Sequence, residues 1–239
     1  MKNIIHTPAS VQSASPVNNT SNKFRWRRQL TKQASIILMV LLSFSILTES
    51  CKKEDMAPMT SSKYYTLQDA MRKLWADHMQ YTYATVDAYY NNPSGLSSSL
   101  DRLLQNQKDI GNAIVPYYGQ AAGDTLASLL TTHINQAVPV LQAAKDNDQA
   151  ALNQALANWK ANAKDIANFL TTANPTHWQK MDMEHMMEMH IDQTTTYAVD
   201  LLKKDYKNAI SHYDEAYQHM MEMADELTMG ISAQFPSKF

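Results

Sequence analysis

The stretch MDMEHMMEMHIDQTTTYAVDLL, residues 181–202, decides the fold. Met183, Met187, His190, Thr194, Tyr197 and Leu201 recur in it at steps of three and four, which places them on one face of an α-helix. Glu184, His185, Glu188 and Asp192 fall on the opposite, polar face. Asn174-Pro175-Thr176 closes the segment before it and caps this one, so the spacing predicts a helix over 177–203.

The same period extends in both directions. Leu67, Met71, Leu74, His78, Tyr81, Thr85 and Ala88 mark a helix over 67–91, opened by a capping box of Thr66 and Asp69 and stopped by Asn91-Asn92-Pro93-Ser94-Gly95. A shorter helix over 98–115 is expected to break near Asn106, whose side chain would cap its second half, and to end at Pro116 and Gly119. Leu126, Leu130, His133, Ala137, Val140 and Ala144 define 121–145, with a kink expected at Pro139. Leu152, Leu156, Trp159, Ala163, Ile166 and Leu170 define 149–172, and Ile210, Tyr213, Ala216, Met220, Met223, Leu227 and Ile231 define 206–234. Only five glycines occur in 239 residues. The expected fold is all-α, a mainly antiparallel up-and-down bundle of five long helices plus a broken short helix, occupying residues 66–239. No internal repeat is visible in the sequence.

The N-terminal region carries a different signal. A basic stretch, Lys23 to Lys32, precedes an apolar run, Ala34 to Leu47, and the lone cysteine, Cys51, follows. The run is too short for the roughly 20 residues of a membrane-spanning helix, so residues 1–50 read as a secretory signal peptide of lipoprotein type. Thr48-Glu49-Ser50-Cys51 resembles a lipobox, and Lys52-Lys53-Glu54-Asp55 resembles the charged tail after the cysteine of Bacteroidota lipoproteins, where acidic residues act as a surface-export signal. That resemblance implies lipidation of Cys51, a flexible tether over 51–65, and a protein anchored to the membrane in the cell envelope, facing the periplasm or the surface. An uncleaved anchor with a chance cysteine is the alternative, and both readings leave Lys52 onward outside the cytoplasm. Without residues 1–50 the chain holds 15 Lys and Arg against 22 Asp and Glu. This acidic balance argues against nucleic acid as a partner.

Three histidines, His78, His133 and His190, interrupt apolar stripes on three different helices, each near its helix's midpoint. His219 lies near the middle of a fourth. Helices of similar length in an antiparallel bundle hold their midpoints at one level, so four imidazoles are expected to form one interior layer. Imidazole in an apolar core needs partners. A transition metal or haem iron would supply one, and Met187, Met220 and Met223 would add thioether donors suited to copper(I). Hydrogen bonding to neighbouring side chains, with purely structural histidines, is the other reading. Asn162 and Asp165 are placed to turn polar groups toward the same level.

Familiar catalytic and metal patterns are absent. Glu184, Glu188, Glu215 and Glu222 are followed three residues later by Met187, Ile191, Gln218 and Asp225, so no paired Glu-x-x-His of a di-iron site occurs. There is no His-Glu-x-x-His, no Cys-x-x-Cys-His and no Gly-x-Ser-x-Gly. His212, Glu215, His219 and Glu222 line one side of the last helix, as a surface zinc site or a solvated face. These residues favour a binding protein, or a structural or protein-interaction lipoprotein, over an enzyme. Leu74-Trp75 with His78, Asn162-Ala163-Lys164-Asp165-Ile166 and Gln234-Phe235-Pro236 together resemble an uncharacterised family of helical bacterial exported proteins. The resemblance implies the helical fold and no particular chemistry.

Overall fold

The computed structural model describes residues 61–239; the expected leader over 1–50, Cys51 and the expected tether up to residue 60 lie outside the described residues. Six long helices account for nearly all of it: α1 Ser62–Asn91, α2 Leu96–Tyr118, α3 Gln120–Lys145, α4 Gln149–Ala173, α5 Lys180–Lys203 and α6 Tyr206–Gln234. Short 3-10 turns, Pro93–Gly95 and Pro236–Lys238, complete the chain.

Local chemistry accounts for the boundaries. The Ser61 side chain accepts from Tyr64 N at 3.0 Å and Asp148 accepts from Ala151 N at 3.0 Å, each satisfying one of the free donors at a helix start. Asp205 caps α6 in the same way through Asn208 N. The expected Thr66 cap is therefore corrected. Thr66 lies inside α1, its hydroxyl donating to Ser62 O, and burial of Tyr64 draws the helix start back to Ser62, into what had read as tether. The break expected at Asn106 is corrected too. α2 runs unbroken through it, because the Asn106 side chain donates to Leu74 O on α1 at 3.0 Å instead of capping its own helix. Pro139 lies within α3 without ending it. Ile210, expected inward, is 56% exposed, and Ala209 takes the buried position beside it.

The six helices form three hairpins, α1/α2, α3/α4 and α5/α6, arranged about a common axis. α1, α3 and α5 pack on one another across the interior, while α2 spans α1 and α3, α4 spans α3 and α5, and α6 spans α5 and α1. Short turns make each hairpin antiparallel, so the three inner helices run in the same direction. Two close approaches hold this shape. At the α2/α3 reversal a Cβ on Gly111 would stand 2.8 Å from Ala127 Cβ and one on Gly123 would stand 2.8 Å from Gly111 O, so neither position admits a side chain. Near the end of α6, Gly230 packs against the indole of buried Trp178, where a Cβ would lie 2.6 Å from Cε2.

Candidate histidine centre

Each inner helix contributes one buried imidazole to the axis. His78, His133 and His190 are only 2%, 2% and 3% exposed. His190 stands between the other two, its ring centre 5.6 Å from that of His78 and 5.8 Å from that of His133. Trp75 and Trp159 flank the group, with ring centres 5.6 Å from His78 and 5.1 Å from His133.

The outer helix of each hairpin supplies a polar partner in the same relative place. Asn162 of α4 accepts from His133 Nδ1 at 2.9 Å and donates to Leu129 O, four residues before His133, at 3.2 Å. In the first hairpin the two tasks are divided: Asn106 donates to Leu74 O, four residues before His78, and Gln107 donates to His78 Nδ1 at 3.3 Å. In the third, His219 donates from Nε2 to Met186 O, four residues before His190, at 2.9 Å. Gln107, Asn162 and His219 each follow their hairpin's inner histidine by 29 residues. The structure thus contains a threefold repeat that the sequence does not display.

These bonds fix protonation. Asn162 turns its oxygen to His133 because its nitrogen is occupied by Leu129 O, so His133 carries its proton on Nδ1 and leaves Nε2 as a bare lone pair. That Nε2 is buried and has no hydrogen-bond partner; His190 Nδ1 and Gln107 Oε1 are also buried without one. Burial drives all three imidazoles toward the neutral form. It lowers His78 to about 3, with a contribution from His133, and His133 to about 4, against the opposing effect of the Asn162 bond. His190 falls well below the usual range for the same reason, with the other histidines adding to it.

Next to the imidazoles, toward the C-terminal ends of the inner helices, lies a cavity of about 50 Å³. Thr82 and Val86, Ala137 and Leu141, and Thr194 and Ala198 line it from equivalent positions on α1, α3 and α5. No carboxylate lines it. A second cavity of about 20 Å³, wholly apolar, lies on the other side of Trp75.

Of the four histidines expected in one layer, three meet. His219 is buried but engaged with the α5 backbone. Met187 and Met223 line the second, apolar cavity, and buried Met220 lines neither, so the expected thioether donors are not gathered at the imidazoles. The row His212, Glu215, His219 and Glu222 does not converge either: His212 turns to Asp200, Nδ1 to Oδ2 at 2.6 Å, while His219 turns inward. Among the described residues, no group of three or more His, Cys, Asp or Glu side chains already stands in position to hold a metal ion. Gln107 is a neighbour of the imidazoles that stripe reading passes over, because an amide beside an apolar row reads as helix surface. Its signal is the constant 29-residue offset, meaningful only once the hairpins are known.

Compared with protein-family models, curated proteins and solved structures, the chain matches none. Among the described residues no helix is long and apolar enough to cross a membrane.

Proposed function

We propose that this protein is a lipid-anchored extracytoplasmic binding protein that holds one transition-metal ion among His78, His133 and His190. The carrying observation is the pair of buried, unpartnered ring nitrogens, His133 Nε2 and His190 Nδ1, on imidazoles kept neutral at physiological pH. A bare lone pair in a dry interior is unfavourable unless something accepts it. A hydrogen bond from the far ring nitrogen to an oxygen acceptor, here from His133 Nδ1 to the Asn162 carboxamide, is also the usual means of orienting a ligating imidazole. Two imidazoles facing one ion with bonds of about 2 Å would have ring centres about 5 to 6 Å apart, close to the separations found here. His78 joins them only by a shift of its ring away from Gln107, whose Nε2 is also held by Leu103 O at 2.7 Å.

The absence of a lining carboxylate favours an ion of low charge, because desolvating a second charge would go uncompensated. Copper(I), which takes few ligands and accepts imidazole, suits this set best. Haem does not fit: organic ligands of its size occupy pockets of roughly 300–1,000 Å³, and this cavity offers about 50 Å³. Lipidation at Cys51 and location in the envelope belong to the same proposal and rest on the lipobox resemblance alone.

One ion per chain is expected by native mass spectrometry after anaerobic incubation with copper(I), with zinc(II) bound more weakly. His133→Ala and His190→Ala should lose retention, whereas His185→Ala, at an exposed position, should keep it. Equal retention in all three variants sinks the site. A second reading has its own support: the cross-helix bonds of His78, His133 and His219 would serve as staples in a structural or protein-interaction lipoprotein. It is the one to adopt if the wild-type protein takes up no metal.

A further inference from the structure

We propose that the cavity beside the imidazoles is a ligand pocket, which admits an uncharged molecule of two or three non-hydrogen atoms to the coordination position left open on the ion and holds its outer atom with the Thr194 hydroxyl. Resting on the metal site proposed above, this adds the class of molecule that the bound ion takes.

Residue size on the axis builds the cavity. Three positions before the inner histidines stand Trp75, Leu130 and Met187, whereas four positions after them stand Thr82, Ala137 and Thr194. Bulk is therefore withdrawn mainly from one side of the imidazole layer, and all three helices share the omission. An empty space in a packed interior forfeits the contacts of the atoms around it, so a pocket repeated on three helices invites an occupant. A void of about 150 Å³ takes benzene and one of about 10–15 Å³ a single water. The cavity here, about 50 Å³, suits a molecule between the two.

The lining narrows the chemistry further. No Asp, Glu, Lys or Arg borders the cavity, so a charged ligand would lose its hydration without compensation. Two or three imidazoles leave copper(I) short of the four donors of a closed site, and a soft ion takes a polarisable donor in preference to water. Of the four threonines in the lining, Thr82, Thr85 and Thr195 donate to backbone carbonyls at 2.7, 2.7 and 2.8 Å. The Thr194 hydroxyl has no such bond, although the residue is only 4% exposed and lies one turn beyond His190. Tyr197 does not consume it, since its own buried hydroxyl is likewise without a hydrogen bond. Val138, 37% exposed, also lines the cavity, so at that point one residue separates it from solvent. Binding forms one bond, from a lone pair of the ligand to copper(I). No bond breaks and the ion keeps its oxidation state, so no co-reactant is needed.

Carbon monoxide is the probe, applied to full-length protein loaded anaerobically with copper(I), with the C–O stretch read by infrared spectroscopy. The wild type should form one adduct per copper. Ala137→Leu, which fills the void, should keep its copper and weaken carbon monoxide binding about ten-fold or more. Ala198→Val is a milder filling that carries the same test should the first disturb folding, and circular dichroism checks both. Thr194→Val keeps the shape and removes the donor, so it should retain the adduct and move the stretch to higher wavenumber. If the wild type holds copper without taking carbon monoxide, or both filled variants bind it as tightly as the wild type, the pocket is overturned and the metal site stands. An unmoved stretch in Thr194→Val overturns the Thr194 contact. Failure of the wild type to hold any copper overturns pocket and metal site together.

Discussion

His133 donates its Nδ1 proton to Asn162 Oδ1 across 2.9 Å, and by doing so presents a bare Nε2 to the interior with nothing to receive it. His190 differs in one respect: no hydrogen bond from a protein group holds either side of its ring in the same way, and its Nδ1 is buried and unpartnered. Two imidazoles in one layer therefore carry opposite energetic consequences when removed.

Replacing His190 by Leu should leave the stability of the metal-free protein unchanged or raise it by up to about 2 kcal/mol, since an unsatisfied buried polar atom disappears and no partner is orphaned. His133→Leu should instead destabilise by about 1–3 kcal/mol, because Asn162 Oδ1 loses its donor. Urea unfolding of the two variants decides this. Equal destabilisation would mean that His190 has a structural partner of its own.

Acid should unfold the bundle early. The three inner histidines are neutral when folded and have pKa values depressed from 6.5, to about 3 at His78 and about 4 at His133. The unfolded chain thus binds more protons than the folded one, and stability falls as pH drops below about 6.5, continuing until the folded pKa values are reached. Each such histidine removes about 1.4 kcal/mol per pH unit in that window. With a typical total of about 5–15 kcal/mol, helical circular dichroism should collapse between about pH 5 and 4. A variant lacking His78 and His190 should show a distinctly shallower decline.

Bound copper(I) should oppose that decline. An ion held by neutral imidazoles competes with protons only weakly while the pH exceeds the depressed pKa values, so retention should persist to about pH 5 and the melting temperature should rise with metal concentration. Thermal melts at fixed pH with and without metal measure this. A melting temperature that ignores added copper(I) would exclude interior binding.

Gly230→Ala should destabilise by about 1–3 kcal/mol, because its methyl overlaps the Trp178 indole in a packed interior. Gly119→Ala has open space around its Cβ but a φ of 84° with a ψ of 168°, a region essentially confined to glycine, and should cost about 1–3 kcal/mol from backbone strain alone. A melting temperature unchanged by Gly230→Ala would overturn the close packing on Trp178.

Cys51→Ala should abolish acylation and shift the protein from the membrane fraction. Mass spectrometry of the wild type should find the mature chain beginning at an acylated Cys51. An unmodified cysteine there would end the lipoprotein reading.

Helix identity was legible because it depends on neighbours along the chain. The 3.6-residue period of Met183, Met187, His190, Thr194, Tyr197 and Leu201 fits one face of a helix, and all six are buried. The midpoint argument also brought three of the imidazoles to one level, since rise per residue is the same in every helix. Ile210 and Asn106 went astray because their surroundings come from other helices: α5 and α1 do not cover Ile210, and Leu74 O captures the Asn106 amide.

The sequence by itself determined a string of amphipathic helices with a histidine at the centre of four of them. Only the tertiary structure decided which histidines meet. It set α1, α3 and α5 parallel around an axis, brought Gln107 and Asn162 to His78 and His133, and spent His219 on Met186 O. The threefold repeat stayed hidden because it constrains only a few axial and staple positions per hairpin. The remaining positions need only be apolar inside and polar outside, a condition that many unrelated residues satisfy.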